Sequence, residues 1–155
     1  MSHVEEHEPE TADQAIRSLY VLGLAAARMG GRLIQGQTTY KWFGQHMKDY
    51  PIPEGRTVED LGKCEHAIAF DGVNYEVGVV KSQKFPGTFS LVYDWWDSKL
   101  KQKIGGKNAE LLMQLYQVET AKVMAKKLDN GQYTETADEE GNIIVEIDTT
   151  ARIGH

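Results

Sequence analysis

Cys64 and His66 stand two residues apart at the start of the apolar run His-Ala-Ile-Ala-Phe. On a strand that spacing projects both side chains to one side, where they share a metal ion or act as thiolate and base. A closed zinc site needs four ligands, and His3, His7, His46 and His155 show no finger-like spacing around the pair. The plainer reading makes Cys64 a small buried hydrophobe and His66 a locally hydrogen-bonded ring. His3, Glu5 and His7 also alternate, which on a strand gives a His-Glu-His face able to grip a divalent ion. Against that stands an acidic edge strand whose charges discourage edge-to-edge pairing.

Aromatic residues supply the second set of candidates. Asp94, Trp95 and Trp96 end an alternating run, with Asp94 and Trp96 facing away from Tyr93 and Trp95. Adjacent tryptophans cannot both enter one core, so one packs under a helix and the other covers a loop or stacks a ligand. Tyr40 and Trp42 share one side of their own strand. If the two strands are neighbours, Trp42 and Trp96 wall an aromatic cleft with Asp94 as its polar anchor. Glu119 falls among Leu112, Leu115 and Val123 on a helical projection, where a carboxylate needs a partner. Lys122 or Lys126 supplies one on the same helix; the sharper alternative points Glu119 into the cleft.

The elements that position these residues follow from periodicity and turn chemistry. A short acidic strand precedes a helix expected over 11–29, where Thr11 and Gln14 have the form of a capping box and Gly30-Gly31 offers the stop. A strand is expected over 32–43, with Gly36 marking a bend. The stretch 44–64 holds Pro51 and Pro53 and reads as a long loop with a short helical turn at Thr-Val-Glu-Asp-Leu. Asp71-Gly72 between two apolar runs is a type I′ hairpin signal, and Phe85-Pro86-Gly87 leads into the strand ending at Trp96, giving a three-stranded meander. A second helix is expected over 108–128, closed by Asn130-Gly131 and followed by a last hairpin or strand. The sum is a two-layer α+β fold: a mixed, mainly antiparallel sheet with two long helices on one face, ferredoxin-like but enlarged by the meander. We expect one domain over 1–148 and a frayed tail over 149–155.

The chain has 155 residues, 41% of them hydrophobic and 26% charged, the balance of an ordinary globular domain. A net charge of −6 repels phosphate backbones, and Lys99, Lys101, Lys103 and Lys107, with Lys122, Lys126 and Lys127, read as solvated faces, so no nucleic-acid polymer is expected. A single cysteine excludes an internal disulfide. The start, MSHVEEHEPE, is acidic where a secretory signal needs a basic and then apolar run, and no later stretch reaches membrane-span length. The expectation is a cytoplasmic protein, away from membranes.

The MSH start, GQTTYKWFG, LGKCEHAI, YEVGVV, LVYDWW and LMQLYQVETAK together resemble the uncharacterised family known as domain of unknown function 1257, with members in bacteria, phages and algal plastid genomes. The resemblance runs from the first helix to about Ile147. It implies the α+β class, carries no catalytic residues, and implies an adaptor role beside an AAA-type ATPase system.

No phosphate-binding glycine loop or nucleophile elbow is present. The leading reading is a non-catalytic binding or adaptor module without cofactor, contacting a protein partner or small ligand through Tyr40, Trp42, His46, Cys64, His66, Asp94, Trp96 and Glu119. A second is a homo-oligomer that sequesters a nucleotide-like molecule on stacked rings. The third is a small enzyme built on Cys64, His66, Asp94 and Glu119.

Overall fold

The computed structural model describes residues 2–48, 50–127, 132–137 and 143–148; the expected tail and the Asn130-Gly131 stop lie outside them. Strands β1 (Val4–His7), β2 (Gly31–Gln35), β3 (His66–Phe70), β4 (Val77–Lys81) and β5 (Phe89–Asp94) form one sheet in the order β1-β5-β4-β3-β2. Every pair is antiparallel, so the sheet is a meander from β2 to β5 closed by β1. Helices α1 (Leu19–Arg28), α2 (Ser98–Ile104) and α3 (Glu110–Lys127) cover one face. This is the two-layer α+β class read from the sequence. No described helix is long and apolar enough to cross a membrane.

Strand alternation divides the interior in two. Ile68, Phe70, Val77, Val79, Leu91 and Tyr93 face the helices and pack with Leu22, Leu100, Ile104, Leu112 and Leu115. Ala67, Val80 and Val92 face the other way and pack with Tyr40, Trp42 and Cys64. The second face is therefore covered by an irregular arch of chain between β2 and β3. At Gly78 the arch lies close on the sheet: a Cβ there would lie 2.5 Å from the Tyr40 ring.

Several boundaries differ from the sequence expectation, each for a tertiary reason. Thr11 begins only a single 3-10 turn (Ala12–Gln14) with no side-chain cap. The chain then extends so that fully buried Ile16 accepts the Phe89 N–H at 2.8 Å. α1 starts later, where the Ser18 hydroxyl accepts the Val21 N–H at 3.1 Å. Burying Ile16 beside the sheet outweighs the helical propensity of its neighbours.

The strand expected over 32–43 stops at Gln35, because Gly36 adopts φ +80° and turns the chain across the sheet. The arch then closes on itself: Tyr40 N–H donates to Gly62 at 3.0 Å and Cys64 N–H to Thr38 at 2.9 Å. The short helical turn forms at Val58–Asp60 behind a Thr57–Asp60 capping box. Asp71-Gly72 does not make a type I′ turn, since only Gly72 has positive φ and that turn needs it at both positions. The strands rejoin at Ile68 and Val77, because Glu76 is committed to the arch, its carboxylate accepting from Gln37 and Lys41, each at 3.0 Å.

α2 forms from the lysine-rich stretch that local pattern assigns to no element. Its Asp97 cap accepts the Lys99 N–H at 2.9 Å, Gly105 ends it at φ +95°, and Leu100 and Ile104 enter the core one turn apart. The last strands, β6 (Gln132–Ala137) and β7 (Ile143–Asp148), pair with each other beside α3 rather than joining the main sheet.

Candidate binding surface around Asp94

Asp94, the last residue of β5, is completely buried, and its carboxylate accepts three main-chain N–H groups. Oδ1 takes those of His3 at 2.9 Å and Trp96 at 3.2 Å; Oδ2 takes that of Phe43 at 3.1 Å. Such bonds to an ionised acceptor are about twice as strong as neutral ones. The carboxylate thus ties the chain start, the arch and the exit from the sheet at one point. Phe43 is 39% exposed and Trp96 is 51% exposed, so the same carboxylate fixes the backbone of two outward-facing aromatic residues.

Rings continue from this point. His3 stacks on Trp96 with centroids 4.7 Å apart and an interplanar angle of 15°. His3 also meets Tyr50 at 4.8 Å and Trp95 at 5.0 Å, and Tyr50 meets Trp95 edge-on at 5.5 Å. Trp95 packs against the main core, while Lys101 and Lys107 place ammonium groups 5.2 and 5.3 Å from its ring centre. Cations over an indole are attracted by its quadrupole. The Tyr50 hydroxyl beside Lys107, and then Glu5, hold that ammonium above its ordinary pKa.

The acidic first strand is not a merely solvated edge. Glu5 accepts from the Tyr50 hydroxyl at 2.6 Å. Glu6 accepts a fork from Arg56 at 2.8 and 2.9 Å and a bond from the Ser90 hydroxyl at 2.6 Å. Glu8 accepts from the Ser82 hydroxyl at 2.7 Å and from the Gln83 and Lys84 N–H groups at 2.8 and 3.1 Å. Each carboxylate pins a different part of the chain to β1. Among the described residues no group of three or more His, Cys, Asp or Glu is arranged to hold a metal, and His3 and Glu5 are engaged by rings and a tyrosine instead. Burial lowers the pKa of half-buried His7, with Glu8 opposing the shift.

The remaining candidates are dispersed. Cys64 and His66 do not share a side: Cys64 packs on the arch face, whereas His66 stands opposite Val79 and meets the Phe89 ring at 5.7 Å on the helix face. Strand alternation does not reach back to Cys64, because β3 begins only at His66. The thiol donates to the Gln37 carbonyl at 3.2 Å, and burial pushes its pKa up to about 11. His66 Nδ1 accepts the Gly36 N–H at 2.9 Å. Asp94 lies three residues beyond Leu91, whose row across the sheet is that of Val79 and His66, while Cys64 lies two residues before it. The offset is roughly 15 Å along the strands, which separates thiol and carboxylate.

Glu119 points at α1, not at the rings. It pairs with Arg28 at 3.3 Å and Lys122 at 3.6 Å, which satisfies a carboxylate on a buried helix side. Tyr40 is a core residue whose hydroxyl burial pushes its pKa up to about 12. Trp42 lies over Gly62 and packs inward, so it does not wall a cleft with Trp96. His46 is half-buried on the arch.

The residues that sequence reasoning missed are Phe43 and Tyr50 and, apart from them, Arg56, which forks onto Glu6. Phe43 was adjacent to a chosen tryptophan, but no local pattern says which of two neighbouring rings faces out. No family model matches the chain, and neither does any curated protein or solved structure.

Proposed function

We propose that this protein is a non-catalytic binding module that presents Phe43 and Trp96, backed by the His3 ring, to a protein partner. The observation that carries the reading is the buried Asp94 carboxylate bonded to the main chain at His3, Phe43 and Trp96. Interface hot spots are rigid aromatic anchors, and fixing them before contact lowers the entropy lost on association. Exposed rings held by a buried anion meet both conditions. The dispersal of Cys64, His66, Asp94 and Glu119 weighs against an acid-base or nucleophilic set. One face of Trp96 is already covered by His3, which weighs against the nucleotide-stacking alternative.

The test is capture of binding partners from extract of the source cell by the tagged chain, followed by purified reconstitution of each candidate complex. Phe43→Ala and Trp96→Ala should each weaken the reconstituted complex by about 1–3 kcal/mol. Tyr20→Ala, which removes an exposed ring from α1, should leave it unchanged. A complex indifferent to both ridge substitutions refutes the proposal.

A further inference from the structure

Among the described residues β1 is an edge strand, paired with β5 alone. The Trp95 N–H donates to the His3 carbonyl at 3.0 Å, which sets the alternation of the ladder: His3, Glu5 and His7 turn their main-chain groups toward β5. Val4 and Glu6 therefore turn theirs outward. Beside them lies a cavity of about 850 Å³, bounded by β1 and the segment 50–55. Glu5 and Glu6, which project to opposite faces of the sheet, both line it, and that is possible only where a cavity runs along the edge of the strand. Its charged lining is Glu5, Glu6, Glu8 and Glu54 against Lys84. Glu8 is satisfied by neutral donors, which leave its charge in place, whereas Glu6 is paired with Arg56 and Glu5 has the Lys107 ammonium nearby.

We propose that this groove is a strand-addition site for an extended basic segment of a partner protein. Main-chain groups of the incoming segment pair with Val4 and Glu6, and its lysine or arginine side chains face Glu8 and Glu54, the Glu6 carboxylate being already held by Arg56. A second copy of this chain is disfavoured as occupant, because pairing two β1 edges sets Glu5, Glu6 and Glu8 against their own copies. The volume lies within the range that encloses small ligands, which suits a short stretch of peptide. This inference stands apart from the aromatic ridge, whose exposed rings do not line the cavity, so failure of the ridge assay leaves it intact.

The probe is a fluorescent hexapeptide of alternating lysine and valine, titrated into the full chain by anisotropy, with amide shifts of Val4 and Glu6 followed by NMR. Saturable binding that shifts both amides is the expected result. N-methylation of alternate peptide amides, on the edge facing β1, should weaken it at least about tenfold. Glu54→Gln should weaken it about threefold and flatten its salt dependence. An alternating glutamate and valine peptide should not bind. The proposal is overturned by no saturable binding up to millimolar peptide, by equal affinity of the N-methylated peptide, or by unmoved Val4 and Glu6 amides at saturation. Concentration-dependent dimerisation through the same two amides without peptide would assign the edge to a second copy and also overturn it.

Discussion

Asp94 accepts the main-chain N–H of Phe43 at 3.1 Å, joining the end of β5 to a residue 51 positions earlier in the arch. With His3 and Trp96 on the other oxygen, one side chain does the work of several ladder bonds at a point where strand pairing stops.

Asp94→Ala leaves three N–H groups without their acceptor and should lower stability by about 2–4 kcal/mol in urea unfolding. Asp94→Asn keeps one carbonyl oxygen but turns an NH₂ toward a donor, and should lose less, about 1–2 kcal/mol. A loss below about 0.5 kcal/mol for the alanine variant would contradict the anchoring role.

Glu6 and Arg56 form a fork with side chains 5% and 22% exposed, closing the arch onto β1. Arg56→Met leaves a largely buried carboxylate with less compensation and should cost about 2–3 kcal/mol, short of the loss for a fully buried pair. In a double-mutant cycle with Glu6→Gln the coupling should reach about 1–3 kcal/mol. Additive single effects would show that the fork contributes nothing beyond packing.

Burial keeps the Cys64 thiol protonated, with its pKa pushed up to about 11 from 9.0. Only the thiolate is alkylated, so at pH 8 iodoacetamide should react about a hundredfold more slowly than with an unperturbed thiol. The rate should climb through pH 10 without a plateau. The native state holds this proton more tightly than the unfolded chain, so its contribution to stability is full below pH 9.0 and is lost as pH rises toward 11. A thiol saturating near pH 9 would contradict the burial.

His7 titrates below 6.5 because burial disfavours its charged form more than Glu8 favours it. The unfolded chain therefore binds the proton first, so this residue's contribution is full above pH 6.5 and is lost as pH falls through the lower native value. In NMR titration the His7 midpoint should lie below that of the free residue. In parallel urea series between pH 7.5 and 5, His7→Asn should flatten the decline relative to the parent chain; an unchanged slope would refute the assignment.

Local rules located most elements. α3 was visible because formers run unbroken from Glu110 to Lys127, and β5 because Leu91 and Tyr93 alternate with Ser90 and Val92. The hydrophobic side of α3 was legible too, including the need of Glu119 for Lys122. Boundaries failed where distant partners intervene: Ile16 leaves the helix to meet Phe89, and Glu76 leaves the hairpin to bind the arch.

The sequence by itself determined the α+β class, the turning points at Gly36 and Phe85-Pro86-Gly87, and the choice of Asp94 as a residue needing explanation, because periodicity and φ preferences act over a few residues. Only the tertiary structure decided that Asp94 binds three backbones, that Cys64 and His66 part company across the sheet, and that Phe43 rather than Trp42 faces out. Those outcomes depend on which N–H groups lack a partner once the sheet edge has formed, a quantity set by residues dozens of positions apart.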